Sequence, residues 1–230
     1  MGIPEKDKIY TYEESLTWSE DVPQELIYGK YYDWNGKPVS WQPADVYYTN
    51  EDFNKKWRHN NRWELIYGVP YAMASPSTNH QVVVGEMYDQ LKNHLKGKKC
   101  RVIPSPYDVK LEFPGEKGVR VQPDLIVICD HSRIKRNYYN GPPDLVIEVL
   151  SPSTAKKDKS EKFLLYQRAG VKEYWIVDPA NKVVDVFVLE EGRYNPPKSY
   201  GYEDTVKVQV LDNCQINLED VFVNIIEDDD

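Results

Sequence analysis

Two carboxylic acids interrupt segments of the sequence that are otherwise apolar. Glu148 lies inside the run LVIEVL, and Asp124 directly follows Pro123 and opens the run DLIVIC. Such runs are typical of strands buried on both faces, where an ionised carboxylate is costly unless a cation compensates for it. If the two strands are neighbours, both acids can point to one face. They would then supply the hard oxygen ligands that Mg²⁺ or Mn²⁺ prefers.

A divalent cation held in this way suits the hydrolysis of a phosphodiester, because it lowers the pKa of a bound water and neutralises charge in the transition state. Lys162 lies one helical turn after Asp158 and one before Tyr166, so the three side chains share a helix face. An ammonium group there could orient the attacking water or stabilise the phosphorane. Lys156, Lys157 and Lys159, at the start of the same helix, could contact phosphates, although each alone could be an ordinary surface charge.

Each of these residues also has an ordinary structural interpretation. Asp124 could simply begin a strand, Glu148 could form a structural ion pair with a lysine or arginine, and Lys162 could lie on a solvated helix face. The occurrence of both acids together favours a functional site. The position of Lys162 adds to this, because its helix leaves the strand of Glu148 and must pack back across the same sheet.

The surrounding pattern predicts the elements that would position these groups. Apolar residues recur at helical spacing from Val83 to Leu95, and Gly97 provides a stop, so an amphipathic helix is expected there. The runs CRVIPSPYDVKLEF and VQPDLIVICD flank the turn PGEKG, which predicts an antiparallel hairpin. A third strand is expected over Asp144–Leu150.

The second half of the chain predicts a crossover. A helix over about Asp158 to Ala169, ended by Gly170, lies between the third strand and EYWIVDP. A strand, a helix and a strand in that order imply a right-handed crossover and a parallel pair. KVVDVFVLEEGRY and TVKVQVLD are expected to form further antiparallel strands at the far side of the sheet.

The first quarter contains an internal repeat. The segment from Thr11 is echoed by the segment from Thr49, and both contain ELIYG. The predicted organisation is therefore a duplicated appendage and linker over residues 1–45, a main domain over residues 46–226 and an acidic tail over residues 227–230. The tryptophans of the duplicated region could contact a partner, cover the sheet of their own domain or build a homodimer: Trp18, Trp34, Trp41, Trp57 and Trp63.

Composition sets limits on the function. The net charge of −8 disfavours a protein that coats long stretches of nucleic acid, although a small basic patch such as the loop His131–Arg136 remains compatible with it. The sequence has no apolar run long enough to cross a bilayer, so no membrane association is expected. Cys100, Cys129 and Cys214 are widely spaced and odd in number, which predicts reduced thiols in a cytoplasmic protein rather than disulfides or a zinc site.

Several motifs in order resemble one family. QPDLIVICD, PDLVIEVLSPST, the spacing D-x-x-x-K-x-x-x-Y and GVKEYWIVDP are similar to the Uma2 family of endonucleases, also called DUF820, over roughly Thr49 to Val223. That family belongs to the PD-(D/E)xK superfamily. The resemblance implies an α/β, restriction-endonuclease-like core: a mixed sheet with the order helix, three antiparallel strands, helix and strand, here with extra C-terminal strands.

The resemblance also implies site residues. Asp124 corresponds to the aspartate of the PD motif and Glu148 to the second acidic ligand, while Glu64 of ELIYG would be a third acidic residue near the metal. Asp108, on the preceding strand, is a weaker candidate. These assignments make the expected cofactor Mg²⁺, or Mn²⁺.

The chain departs from the superfamily pattern at the lysine. The superfamily pattern has a lysine two positions after the second acid, but this chain has Leu150 there. The resemblance implies that Lys162 on the crossover helix takes over the role of that lysine. His80, at a helix start near the proposed site, could contact phosphate, although a capping or core role explains it equally well.

The sequence therefore predicts a metal-dependent endonuclease that acts on DNA and, by analogy with the superfamily, leaves a 5′-phosphate and a 3′-hydroxyl. A non-catalytic module that keeps the fold and binds nucleic acid or protein is the alternative. Buried acids paired with Lys162 favour the enzyme, since a binding module does not need them. A metal-free hydrolase is disfavoured because the chain has no GxSxG, HExxH or Walker sequence.

Overall fold

A computed structural model describes residues 48–57, 63–66, 69–72, 75–113, 119–152 and 154–226. The expected appendage and linker over residues 1–45 and the tail over residues 227–230 lie outside these ranges, so their assignments stay predictions. Within the described ranges, no helix combines the length and apolar character that crossing a membrane requires.

The helices alternate with short strands along the chain. The described helices are α1 (Asn50–Trp57), α2 (Thr78–Leu95), α3 (Ala155–Lys157), α4 (Phe163–Ala169) and α5 (Leu218–Phe222), with a π-helical turn over Asp158–Lys162 that joins α3 to α4. The strands of the N-terminal half are β1 (Trp63–Ile66), β2 (Val69–Ala72), β3 (Arg101–Pro104), β4 (Asp108–Leu111), β5 (Val119–Val121), β6 (Leu125–Ile128), β7 (Tyr138–Asn140) and β8 (Leu145–Val149). Those of the C-terminal half are β9 (Glu173–Asp178), β10 (Val183–Glu190), β11 (Arg193–Tyr194), β12 (Lys198–Tyr200), β13 (Thr205–Lys207) and β14 (Gln215–Asn217).

The main sheet has the strand order β11-β10-β9-β8-β6-β3, with β12 pairing with β10. Strand β6 is antiparallel to both of its neighbours, β3 and β8, and β9 runs parallel to β8 after the crossover through α3 and α4. The predicted order of helix, three antiparallel strands, helix and strand is therefore confirmed. The crossover helix begins at Ala155 rather than near Asp158, and it contains the π turn.

The main sheet is covered on both faces, as the apolar runs predicted. Helix α2 is capped at Ser77, whose side chain accepts a hydrogen bond from the His80 N–H, and the helix ends before Gly97, where φ is +77°. Its apolar stripe packs on one face against odd-numbered residues of β8, whereas the opposite face of the sheet packs against α4. Because side chains alternate along a strand, Glu148 points to the α4 face.

The expected hairpin between the CRVIP and LIVIC segments is antiparallel but is divided between two sheets. Strand β3 pairs with β6 in the main sheet, while β4 and β5 pair in a second sheet with the order β2-β1-β5-β4-β7. The Ser105 N–H donates to the Asp124 carbonyl at 2.9 Å where the two halves part. The second sheet packs Val109 and Val121 against the core on the α4 face. Burial of these apolar side chains favours the bend in the hairpin.

The expected position of TVKVQVLD is wrong. Strand β13 does not extend the main sheet but pairs with β14. Val206 and Ile216 of this ribbon are buried in the core on the α2 face. The alternation of apolar residues in this segment therefore reflects packing against a face of the main sheet and not pairing with an edge strand of that sheet. KVVDVFVLE, in contrast, forms β10 and pairs antiparallel with β9 as predicted.

The expectation of three reduced thiols is also wrong. Cys100 and Cys129 form a disulfide, whereas Cys214 is a free and buried thiol. The register that pairs Arg101 with Ile128 places the two cysteines opposite each other, just beyond the ends of β3 and β6. Spacing along the sequence could not show this, because it depends on the register of the antiparallel pair. The cytoplasmic location stays a prediction.

Candidate active site

Glu148 lies in the middle of the main sheet, on a strand that is paired on both sides. Its side chain is 3% exposed and accepts two hydrogen bonds at the same oxygen, Oε1: one from Lys162 Nζ at 2.9 Å and one from the Tyr166 hydroxyl at 2.7 Å. Both donors come from the crossover helix. The buried carboxylate is thus held by the helix that leaves its own strand.

Lys162 lies at the centre of a cluster of buried acids, which we call the acid cluster. Its Nζ is 3.1 Å from Glu64 Oε1, 2.9 Å from Glu148 Oε1 and 3.3 Å from Asp158 Oδ1. None of these side chains is more than 4% exposed. The shared helix face that the sequence indicated for Asp158, Lys162 and Tyr166 is the face that meets Glu148.

Glu64 enters the acid cluster from the second sheet. Its Oε2 pairs with Lys157 Nζ at 2.7 Å, and its Oε1 accepts the Gln122 N–H at 3.0 Å. The Lys157 Nζ also lies 5.1 Å from the centre of the Tyr71 ring. Strand β1 therefore contributes an acid that two lysines and one backbone donor satisfy.

The two glutamates of the cluster have opposite pKa shifts. Burial raises the pKa of Glu64, but Lys162, Lys157 and the hydrogen bonds outweigh it and lower the pKa to about 2. Burial raises the pKa of Glu148 well above its ordinary value, because Lys162 is opposed by the negative charges of Asp158, Asp124 and Glu64. Glu64 therefore stays ionised to lower pH than an ordinary glutamate, whereas Glu148 keeps its proton to higher pH than an ordinary glutamate.

Asp158 and Lys162 complete the electrostatics. Burial also raises the pKa of Asp158, and its Oδ1 accepts no hydrogen bond from the described residues. Burial lowers the pKa of Lys162, but the three surrounding acids outweigh it and raise the pKa well above the ordinary value. With Lys157 included, two ammonium groups face three carboxylates, so a full set of ionised acids leaves an excess of negative charge.

Asp124 is held by a separate set of contacts. The register that pairs Leu125 with Ile147 places Asp124 opposite Glu148, but its Oδ2 accepts the Val149 N–H at 2.8 Å and lies 3.2 Å from His80 Nε2. Burial lowers the pKa of His80, and the hydrogen bond and charge of Asp124 outweigh it and raise that pKa.

The other residues considered from the sequence lie at different positions. Asp108 pairs with Arg120 at 3.0 Å and accepts Gln122 Nε2 at 2.7 Å, so it forms a neighbouring cluster. Lys159 is in the π turn but exposed. The basic loop His131–Arg136 follows β6, whereas Asp124 precedes it, so they lie at opposite ends of that strand.

The donor chemistry of the acid cluster fits a hard divalent cation, but its arrangement is that of an ion-pair cluster. Carboxylate oxygens, an excess of negative charge and an Asp158 Oδ1 that accepts no hydrogen bond from the described residues all favour a cation. Across the described ranges, however, no three His, Cys, Asp or Glu side chains are arranged to hold a metal ion. The Lys162 ammonium instead occupies the point that the carboxylates share.

Comparison with known proteins agrees with this fold. The model of the Uma2 family, described as "Putative restriction endonuclease", matches residues 51–219. The chain belongs to the Uma2 family. The sequence resemblance is therefore confirmed, and the match spans all the residues of the acid cluster.

Relatives of this Uma2 chain include one curated protein and one solved structure. An uncharacterized protein of Synechocystis is 32% identical over 131 residues, which cover 56% of this chain and 67% of the relative. The crystal structure of a "putative nuclease belonging to DUF820" from Anabaena variabilis has a TM-score of 0.57 and 20% identity, and the match covers 70% of this chain and 89% of that one. The second likeness concerns the fold.

Reasoning from the sequence missed three parts of this candidate site. It gave Asp158 no role although the spacing to Lys162 was noted, and it considered Lys157 as a phosphate contact or a surface charge but not as a partner of Glu64. It did not consider Tyr174, whose hydroxyl donates to the Asp158 carbonyl oxygen at 3.0 Å. For Asp158 the spacing was a usable signal, whereas Tyr174 resembles any core aromatic residue of a buried strand.

Proposed function

We propose that this chain is an endonuclease that hydrolyses DNA phosphodiester bonds with the help of Mg²⁺ or Mn²⁺. The observation that carries the proposal is Glu148: a carboxylate within a buried strand, opposite Asp124 and in contact with Lys162. Membership of the Uma2 family supports nuclease activity in general. The metal, the DNA substrate and the roles of single residues are our proposal.

In this proposal Asp124, Glu148 and Glu64 would hold the cation through their carboxylate oxygens. When bound, the cation would lower the pKa of a water and neutralise charge on the phosphate. The ammonium of Lys162 would orient the attacking water or contact the phosphate oxygens. The Tyr166 hydroxyl keeps its hydrogen bond to Glu148 and fixes the orientation of that carboxylate.

His80 and Lys159 are the proposed phosphate contacts. His80 lies in the first turn of α2, where the helix dipole favours an anion, and its imidazole already contacts Asp124. Lys159 is exposed beside the cluster and can reach a phosphate without breaking an ion pair. Both contacts would position the backbone of the DNA and carry no sequence preference.

The test is plasmid cleavage in Mg²⁺, Mn²⁺ or EDTA by the wild type and by Asp124→Ala, Glu148→Gln and Lys162→Ala. Glu173→Gln is the matched control, because Glu173 is a fully buried carboxylate on the neighbouring strand β9 that binds Trp175 Nε1 and the Val210 N–H. We expect metal-dependent cleavage that Glu173→Gln retains and the other variants lose. Cleavage that survives in all three site variants would remove the proposed site.

A second candidate is a module that binds DNA or protein without cleaving it. It is favoured by one observation: Lys162 neutralises the carboxylates at the position where a cation would bind. Binding of a DNA duplex without cleavage in any of the metals would support it. The proposed homodimer is tested separately by light scattering, where a monomer has a mass of 26.9 kDa.

A further inference from the structure

The π turn of the crossover helix is the local feature that aligns the acid cluster. Asp158 and Lys162 are its first and last residues, and both are buried. π-helical turns are rare, because their wider hydrogen bonding is less favourable than that of an α-helix. Where they occur, they frequently mark functional sites. A backbone group that loses its usual helical partner needs another one when it is buried. A hydrogen-bond partner outside the helix would therefore stabilise this turn.

Tyr174 supplies such a partner. Its hydroxyl, on strand β9, donates to the Asp158 carbonyl oxygen at 3.0 Å in a buried hydrogen bond. Strand β9 is paired by β8 on one side and β10 on the other. Register places Tyr174 beside Val146, so it points to the same face as Glu148.

The ring of Tyr174 is fixed by its neighbours. It is fully buried and lies 5.1 Å from the ring of Tyr166 and 6.1 Å from the rings of Phe187 and Tyr194. A rigid ring on a central strand holds its hydroxyl in one place, and the hydroxyl holds the carbonyl of Asp158.

We propose that Tyr174 is a positioning residue, whose hydroxyl keeps the π turn in place and thereby seats Lys162 and Asp158 against Glu148. The effect on catalysis rests on the proposed nuclease function, whereas the effect on the turn does not. Without this hydrogen bond the turn would relax toward regular α-helix. The Lys162 ammonium would then shift relative to Glu148, although no group in contact with substrate had been removed.

The chain offers a matched control for this proposal. Tyr194 belongs to the same aromatic cluster, and its hydroxyl also donates to a backbone carbonyl at 3.0 Å in a buried hydrogen bond. Its acceptor is Val171, which follows α4 rather than the π turn. Tyr174→Phe and Tyr194→Phe therefore remove the same chemical group from the same kind of environment, and only the first touches the acid cluster.

The first readout is amide hydrogen exchange in the wild type and both variants. Each variant should lose a similar amount of thermal stability, roughly 2–4 °C in Tm for one buried hydrogen bond. Exchange of the amides over residues 159–163 should accelerate about fivefold in Tyr174→Phe and stay at the wild-type rate in Tyr194→Phe. Equal exchange over this segment in the two variants would overturn the proposal.

The second readout is cleavage kinetics. For Tyr174→Phe we expect kcat to fall by roughly 10- to 100-fold, as for other residues that orient active-site groups, with KM for DNA unchanged, whereas Tyr194→Phe should keep both constants. An equal kcat in the two variants would contradict positioning. If the wild type cleaves nothing, the proposed function fails. Faster amide exchange over residues 159–163 in Tyr174→Phe, but not in Tyr194→Phe, would still support the role of the Tyr174 hydroxyl.

Discussion

Replacing Lys162 with methionine should expose how strongly the acid cluster depends on one ammonium group. The substitution keeps a long apolar chain and removes the charge that contacts Glu64, Glu148 and Asp158. Lys157 then remains as the cation facing three buried carboxylates. Breaking a buried ion pair by removing one partner costs about 3–5 kcal/mol, because the remaining charge is left uncompensated.

The loss should depend on pH. Burial already raises the pKa values of Glu148 and Asp158, and Lys162 lowers both, so its removal raises them further. A group whose pKa is higher in the folded state binds protons more tightly there, and its contribution to stability is lost as the pH rises through that pKa. The cost of Lys162→Met should therefore be larger at pH 8 than at pH 5, because the two acids take up protons as the pH falls.

Thermal and urea unfolding at pH 5 and pH 8 measure this effect. For a chain of 230 residues the expected loss at pH 8 corresponds to roughly 6–20 °C in Tm. Lys159→Met is the control, because Lys159 is an exposed lysine of the same π turn, and it should change stability by less than about 0.5 kcal/mol. A loss for Lys162→Met that is below about 1 kcal/mol, or that does not vary with pH, would refute the reasoning.

Further predictions follow from the same contacts. Glu148→Gln should abolish cleavage. Its stability relative to the wild type should increase as the pH rises from 5 to 9, because the raised pKa of Glu148 makes the ionised form unfavourable in the folded state. Measurement of Tm for both proteins across that pH range checks this. Glu64 has a pKa of about 2, so its contribution, on the order of 3 kcal/mol, should be present above its ordinary pKa and be lost as the pH falls toward 2. Glu64→Gln should therefore flatten the acid limb of the unfolding curve. Calorimetry over a series of pH values, in buffers of different ionisation enthalpy, should show that Mn²⁺ binding releases protons, because the raised pKa of Glu148 extends the pH range in which it carries a proton. Reduction of the Cys100–Cys129 disulfide, with its sequence separation of 29, should cost about 3–4 kcal/mol in urea unfolding and leave DNA cleavage unchanged.

The order of the main elements could be predicted from the sequence because each carried its own local pattern. Four apolar residues at helical spacing defined α2, and the continuous runs LIVI and LVIEV defined β6 and β8 as buried strands. The pairing of distant segments could not be predicted. The bend of the hairpin near Ser105, the separate ribbon of β13 and β14, and the disulfide all depend on which residues meet in three dimensions.

Much the same division applies to the candidate site. Glu148 stood out because an acid within an apolar strand needs a compensating partner, and the sequence also indicated a helical lysine to supply one. Patterns along the chain did not show that Lys162 lies at the centre of the acids rather than beside them. Nor did they show that Lys157 pairs with Glu64, since the partners are 93 positions apart.

The buried acids of this sheet are tolerated because other described residues compensate for their charge. Glu64 is stabilised as an anion by two ammonium groups and a backbone N–H. Glu148 has the Lys162 ammonium, which it shares with two other acids, and the Tyr166 hydroxyl, and burial raises its pKa well above the ordinary value. Both the Lys162 ammonium and uptake of a proton by Glu148 reduce the negative charge that a divalent cation would also neutralise. If the proposed cation binds among these carboxylates, its binding should therefore be coupled to the release of a proton and to a shift of the Lys162 ammonium.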